Sequence, residues 1–100
     1  MAVRIRWTKR AQKSFGNIVD YLNTEWSLAV AIKFVKKSNS FIETLKDYPR
    51  LGKQEPAAKG LRSFILSRQT TVFYRIKNND TIILLNFFDT RQDPKKKMKS

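Results

Sequence analysis

Two residue types that carry much of enzyme chemistry are missing from this chain, which has no histidine and no cysteine. Without cysteine, disulfides, cysteine-ligated zinc sites and thiolate nucleophiles are excluded. Without histidine, the commonest general base and metal ligand is absent, so Ser-His-Asp and Cys-His catalytic arrangements are excluded as well. The three glycines form neither a G-x-x-x-x-G-K-[ST] nor a G-x-G-x-x-G phosphate-binding motif. We therefore expect no metal and no cofactor.

Acidic residues are scarce, because eight Asp and Glu stand against 21 Lys and Arg, for a formal net charge of +13. A field of this sign attracts nucleic acid, ribosomes or acidic proteins, and the alternative is a solvated basic surface without a specific partner. Long apolar runs are also missing, since none approaches the ~20 residues of a membrane span. The N-terminus alternates in polarity and lacks the apolar region of a signal peptide. These absences predict a soluble cytoplasmic protein without a membrane partner.

The apolar and aromatic content indicates a folded protein, since 41% of the residues are hydrophobic and 12% are aromatic. A chain of 100 residues is the size of one domain. Lysines dominate the sequence after Pro94. We therefore expect a single domain over residues 1–94 and a basic C-terminal tail over residues 95–100.

The first half of the chain predicts one strand and two helices. Apolar residues alternate with arginines over residues 3–7, which is typical of a short half-buried strand at the edge of a sheet. Thr8 and Ser27 each precede an apolar stripe of helical period and are suited to cap a helix. Pro49 ends the second helix. The short connection between the helices predicts an antiparallel helical hairpin.

The second half predicts a loop and three strands. The loop covers residues 51–60, and the strands cover residues 61–66, 71–76 and 81–88, with two hairpin turns between them. The predicted fold is therefore α+β, in the order β-α-α-β-β-β. The helical hairpin packs on one face of a small antiparallel sheet, and the other face stays partly open.

Arginine is the residue type here that is best suited to a functional site, because it clamps phosphate and stabilises developing negative charge. Arg62, Arg75 and Arg91 come from the last three strands or their ends, so they are expected to converge on the open sheet face and are the candidate catalytic residues. The structural alternatives are a solvated sheet face for the first two and a salt bridge to Asp89 or Asp93 for Arg91.

Aromatic residues supply candidates for the core and for the binding surface. Phe87 and Phe88 are adjacent in a strand and point to opposite faces, so one belongs to the core and the other is exposed on the open face. An exposed phenylalanine beside arginines is a candidate for binding a base or a partner helix. Tyr74 is interpreted as a core residue, and Trp7 and Trp26 as packing residues.

Several motifs together resemble the RelE/ParE family of bacterial type II toxin–antitoxin toxins. They are the Leu-x-x-Tyr-Pro-x-x-Gly join that begins at Leu45, the Val-Phe-Tyr-Arg-Ile strand over residues 72–76 and the Phe-Asp-Thr-Arg-Gln-Asp-Pro ending over residues 88–94. The resemblance implies a small basic β-α-α-β-β-β domain. It also implies the toxin of a plasmid- or genome-stabilising module, held inactive by an acidic antitoxin in a toxin–antitoxin hetero-oligomer.

The resemblance leaves two kinds of target open. RelE-like members cleave mRNA in the ribosomal A site, with an arginine before the aromatic of the central strand, another after the last strand, and a late tyrosine. Here Thr71 stands at the first position, Arg91 matches the second, and no tyrosine follows Tyr74. This favours a ParE-like inhibitor of DNA gyrase. The alternatives are a ribosome-dependent mRNA endoribonuclease and a non-toxic nucleic-acid-binding module, so enzymatic activity stays open.

The antitoxin is expected to supply an amphipathic helix or an extended segment. Its carboxylates are predicted to face Arg62, Arg75 and Arg91, and its apolar residues are predicted to cover the exposed member of the pair Phe87 and Phe88.

Overall fold

Two helices pack against one face of a five-stranded sheet in the computed structural model, which describes the backbone of residues 3–92 and the side chains of residues 3–91. Neither helix in this range has the apolar length that crossing a membrane requires. The predicted tail over residues 95–100 and the predicted Asp93 ion pair lie outside the described residues. In chain order the elements are β1 Arg4–Trp7, α1 Lys9–Glu25, α2 Leu28–Asp47, β2 Lys53–Gln54, β3 Leu61–Ile65, β4 Thr70–Lys77, β5 Thr81–Asp89 and a 3₁₀ turn Thr90–Gln92.

Both predicted helix caps are confirmed. The Oγ1 of Thr8 accepts a hydrogen bond from the N–H of Ala11 at 3.0 Å. The Oγ of Ser27 accepts one from the N–H of Val30 at 3.1 Å. Each bond satisfies one of the backbone donors that the first helical turn leaves free. α2 ends at Asp47, two residues before Pro49, as the sequence predicts.

The strand order is β1-β5-β4-β3-β2, and the sheet is mixed rather than antiparallel throughout. β1 lies at the predicted edge position but runs parallel to β5, whereas the other pairs are antiparallel. Alternating polarity shows which face of a strand is buried but carries no information on the direction of the strand. The sequence could therefore not distinguish a parallel from an antiparallel β1. β2 lies within the segment that was predicted to be a loop. The sequence does not reveal it, because two residues are too few to show a period.

The core lies between the helix stripes and one sheet face. Trp7 stacks on Phe87 at 5.4 Å between ring centroids, and Phe15 meets both rings edge-on. At the other end of the helix layer Phe41 stacks on Phe64 at 4.4 Å. The fully or nearly fully buried apolar residues are Ala11, Ile18, Leu22, Ala31, Phe34, Phe41, Ile42, Leu45, Leu66, Val72, Tyr74, Ile82, Leu84 and Phe87.

A β-bulge interrupts the pairing of β4 with β5. Phe73 pairs with Asn86, but the next residue, Tyr74, pairs with Leu84, so Leu85 is an extra residue on β5. An extra residue shifts the in-out alternation of a strand by one position. The residues of β5 that face the helices therefore alternate in one phase before the bulge and in the opposite phase after it.

This shift decides which phenylalanine enters the core. Phe87 faces the helices and is 3% exposed, whereas Phe88 faces the other way and is 44% exposed. Thr8 supports the bulge, because its hydroxyl donates to the carbonyl of Leu84 at 2.9 Å. The predicted division of the pair into one core and one exposed residue is confirmed.

Candidate functional site

The three candidate arginines lie in three different places, so the predicted cluster on the open face is wrong. Arg75 is exposed on the sheet face opposite the helices, one position from the buried Tyr74. Arg62 pairs with Tyr74 and shares its face, because paired residues in neighbouring strands point to the same side. Arg91 follows the end of β5 in the 3₁₀ turn. The pairing of the strands separates the three arginines, and the periodicity of the sequence carries no information on that pairing.

Arg62 fastens the connection after α2 to the sheet. Its Nη1 donates to the carbonyl of Gly52 at 2.6 Å. The hydroxyl of Tyr74 donates to the carbonyl of Pro49 at 2.9 Å and accepts from the N–H of Gly52 at 2.7 Å. These bonds satisfy the backbone of a turn that packs onto the end of the core. The contacts of Arg62 are therefore structural ones.

Tyr74 is fully buried, which confirms the core interpretation. Burial raises the pKa of its phenol, although the hydrogen bond from Gly52 and the charge of Arg62 oppose the shift. The hydroxyl is therefore protonated at neutral pH and keeps both of its hydrogen bonds. A group in this state does not serve as a general base.

Asp89 and Arg91 form a buried ion pair at the strand end. Nε and Nη2 of Arg91 donate to the two carboxylate oxygens at 3.1 and 2.8 Å, and the backbone N–H of Arg91 donates at 2.9 Å. The hydroxyl of Thr70 adds a further bond at 2.7 Å. The side chain of Asp89 is fully buried, and that of Arg91 is 18% exposed. The salt-bridge interpretation of Arg91 is confirmed for Asp89.

The surroundings of this pair fix its charge state. Burial alone raises the pKa of the Asp89 carboxyl, but the hydrogen bonds from Arg91 and Thr70 outweigh burial and hold the pKa below its usual value. The guanidinium carbon of Arg91 also lies 5.5 Å from the centre of the Trp26 ring. Trp26 is 56% exposed, so its prediction as a packing residue is wrong. It caps the C-terminal end of α1, and Arg91 lies over its ring.

The open face is basic at one end. Arg6, Ile83 and Arg75 pair across three neighbouring strands and therefore form one row on the face away from the helices. Arg4 and Lys77 pair with the same residue of β5 in the next row. Arg4 and Arg6 were not among the predicted site residues, although their alternation with the more buried residues of β1 indicates this face.

The other end of the open face is apolar. Ile65, Thr71 and Phe88 form a row across β3, β4 and β5. Ile65 is 68% exposed and Phe88 is 44% exposed. A surface that joins a cationic end to exposed apolar side chains is suited to an acidic amphipathic partner. Within residues 3–92, no three metal-ligating side chains come together.

A comparison with protein families gave a match over most of the chain. The profile described as the ParE toxin of the type II toxin–antitoxin system parDE matches residues 5–94. A search of curated proteins gave no match.

Several solved structures share the fold. A chain of the chromosomal ParDE toxin–antitoxin system from P. aeruginosa superposes with a TM-score of 0.72 at 21% identity, over 87% of this chain and 95% of that chain. A chain of the RelBE2 toxin–antitoxin complex from Mycobacterium tuberculosis gives 0.58 at 18% identity, over 89% and 99%. The YoeB/ParE toxin from Agrobacterium tumefaciens gives 0.65 at 15% identity, over 87% and 98%.

Proposed function

Because the chain belongs to the family of ParE toxins of type II toxin–antitoxin systems, we propose that it inhibits a protein target, DNA gyrase first among the candidates, and that an acidic antitoxin neutralises it. The observation that carries this proposal is the engagement of Arg91. The one arginine that matches a RelE-type catalytic position is paired through three hydrogen bonds to a buried carboxylate.

The rest of the strand end supports binding rather than RNA cleavage. Transfer of a proton in 2′-hydroxyl attack needs a base near the RNA and an acid near the leaving oxygen. Asp89 is buried and has its carboxylate occupied by Arg91 and Thr70, and Tyr74 is protonated inside the core. Thr71 occupies the position where the RelE-like pattern has an arginine.

Supercoiling by purified gyrase tests the choice of target. The purified chain is added to gyrase and relaxed plasmid, and toeprinting of translating ribosomes with the same preparation provides the parallel assay for RNA cleavage. We expect inhibition of supercoiling and no cuts in the ribosomal A site. Cuts that disappear in an Arg91→Ala variant, with supercoiling unaffected, would establish the ribosome-dependent endoribonuclease instead.

The antitoxin is proposed to cover the open face. The basic row of Arg6 and Arg75 and the exposed Phe88 offer both charge and apolar contact. A short reading frame beside the gene that encodes an acidic protein is the expected source of this partner. Salt weakens contacts between exposed charges, so the affinity of the complex is expected to fall as ionic strength rises.

Charge reversal tests this surface. The double variant Arg6→Glu/Arg75→Glu is expected to weaken the complex by at least about tenfold, because like charges now face the partner's carboxylates. The variant Lys9→Glu/Lys13→Glu changes the net charge equally on exposed positions of α1 and serves as the control. If titration calorimetry in low salt gives equal affinities for both variants, the open face is not the surface that binds the antitoxin.

A further inference from the structure

A groove runs along the outer side of the helical hairpin, between α1 and α2. We call it the outer groove. Its volume is about 340 Å³, and its apolar lining comes from Val19 of α1 and from Leu28, Ala31, Ile32 and Val35 of α2. Every described residue that lines it belongs to one of the two helices, so within residues 3–91 no strand or loop covers it. Leu28 is 63% exposed and Ile32 is 45% exposed, so the fold leaves apolar surface of this groove in water.

The apolar residues of α2 at the outer groove are spaced for contact with further helices. Leu28, Ile32 and Val35 recur at intervals of four and three residues. This is the spacing of the seam along which helices pack side by side. A pair of antiparallel helices with such a seam on its outer side forms a four-helix bundle when a second pair packs on it.

The charged residues of this side of the hairpin follow a definite order. On α1, the exposed Asp20 lies near the hairpin turn and the exposed Lys13 lies seven residues farther from it. On α2 the signs are reversed, since Lys36 lies nearer the turn and Glu43 lies seven residues beyond it. Seven residues are two helical turns, or about 10.5 Å, so both members of each pair lie on the same helix face at equal spacing.

These charges do not neutralise one another within the chain. Asp20 and Lys36 line the same groove, but they form no ion pair within the described residues. Lys13 has no carboxylate partner in that part of the chain either. Glu43 contacts Lys46 at 3.0 Å, and both are exposed, so this contact contributes little and is easily exchanged.

We propose that the outer groove is the interface of a symmetric homodimer, in which the hairpins of two copies of this chain form a four-helix bundle. A twofold axis parallel to the helices lays each α1 on α2 of the second copy. Asp20 then meets Lys36 of the second copy, and Lys13 meets Glu43 of the second copy. Symmetry repeats both contacts, so this arrangement matches all of these charges at once.

A second copy of the chain fits the outer groove better than an acidic protein or a nucleic acid does. Either of those partners meets Asp20 and Glu43 with charge of the same sign, which is unfavourable. A second copy carries the required order of signs together with the apolar seam. The open face lies on the other side of the sheet, so both copies keep it free. The homodimer does not depend on the proposed function.

The size of the surface predicts a weak dimer. The 17 residues of α1 extend about 26 Å, and two packed helices about 10 Å apart offer a face of about 500 Å² per copy. Stable interfaces bury about 800 Å² per partner, and two copies that each carry a net charge of +13 repel each other. We therefore expect a dissociation constant of about 10–100 µM.

Sedimentation equilibrium of the purified full chain from 5 to about 500 µM tests the dimer, in about 0.3 M salt to screen the net repulsion. Asp20→Lys is expected to raise the dissociation constant at least about tenfold, because two contacts become repulsive. The double variant Asp20→Lys/Lys36→Asp forms both contacts with reversed signs and is expected to restore the dissociation constant to within about threefold of the wild type. Asp80→Lys adds the same charge in the exposed turn between β4 and β5 and serves as the control.

A second pair of variants tests the apolar seam. Ile32→Ser is expected to raise the dissociation constant at least about tenfold, because each dimer loses two apolar side chains from its interface. Ile65→Ser removes an exposed isoleucine from the open face and is expected to leave the dissociation constant unchanged. Thermal unfolding followed by circular dichroism checks that both variants are folded.

Four outcomes overturn the proposal. They are a wild-type chain that stays monomeric at the highest concentration, equal weakening by Asp20→Lys and Asp80→Lys, a double variant no tighter than Asp20→Lys, and equal effects of Ile32→Ser and Ile65→Ser. The samples contain this chain alone, so each of these outcomes leaves the gyrase assay and the antitoxin titration unaffected.

Discussion

At the scale of single residues, the Asp89 carboxylate is the best-connected polar group of the strand end. It accepts hydrogen bonds from Arg91 and Thr70 and is enclosed by the end of the core. This explains why Arg91, which matches a RelE-type catalytic position in the sequence, acts as a structural clamp with Asp89. The sequence shows that Asp89 and Arg91 are present, whereas their buried contact in the structure shows that their charges neutralise each other.

Asp89→Asn is expected to lower the free energy of unfolding by about 3 kcal/mol at pH 7, because it leaves a mostly buried Arg91 without its anion. The folded-state pKa of Asp89 is lowered, so the contribution of the pair is present above the unfolded-state pKa of about 3.9 and is lost as pH falls through the folded-state pKa. Urea denaturation from pH 7 to pH 2 measures both effects. Asp47→Asn, an exposed carboxylate, is the control. If the difference in the free energy of unfolding between wild type and Asp89→Asn does not narrow in acid, this account is contradicted.

Gly52 and Gly16 provide a matched pair of alanine substitutions. A Cβ at Gly52 lies 2.6 Å from the carbonyl oxygen of Ser63 and 2.8 Å from the Tyr74 ring and hydroxyl. Gly52→Ala is therefore expected to cost about 2 kcal/mol through overpacking. A Cβ at Gly16 meets no atom within 4 Å, so Gly16→Ala is expected to stabilise α1 by about 0.5–1 kcal/mol. Thermal or urea unfolding checks both signs, and a neutral Gly52→Ala refutes the close packing.

At the scale of elements, Thr8 joins a helix start to the β-bulge. Its hydroxyl accepts from the first turn of α1 and donates to the carbonyl of Leu84 on β5. The bulge in turn sends Phe87 into the core and Phe88 to the open face. A single side chain therefore stabilises both the helix and the irregularity that shapes the binding surface.

Thr8→Ala is expected to destabilise the protein by about 2 kcal/mol, since it removes a helix cap and a partly buried hydrogen bond to the bulge at about 1 kcal/mol each. Ser27→Ala removes only a cap, on an exposed part of the chain, and is expected to cost about 1 kcal/mol. Chemical denaturation of the two variants side by side gives the comparison. Equal losses would show that the bulge does not depend on Thr8.

Sequence alone predicted most helices and strands of this fold but not the details of their pairing. The caps at Thr8 and Ser27, the end of α2 and the burial of Tyr74 all follow from local patterns, and the structure has them. The face of Arg62 depends on the pairing of β3 with β4, and the choice of Phe87 for the core depends on one extra residue in β5. Pairing and bulges arise from contacts between distant segments, which a local period does not record.

At the scale of the whole molecule, charge and shape act together. The chain carries a net charge of +13, and the open face combines a cationic end with exposed apolar side chains. Such a molecule attracts acidic partners over several ångströms and holds them through apolar contact. The family assignment and the engaged state of Arg91 together favour a toxin that works by binding.

The supercoiling titration tests this central claim most directly. Relaxed plasmid is incubated with purified gyrase and increasing amounts of the purified chain, and the products are separated on agarose. If the toxin acts by binding gyrase, supercoiling is expected to fall as the toxin approaches about equimolar amounts, and Arg91→Lys, which keeps a cation for Asp89, is expected to retain the inhibition. Complete supercoiling in stoichiometric excess of a folded toxin would contradict the account.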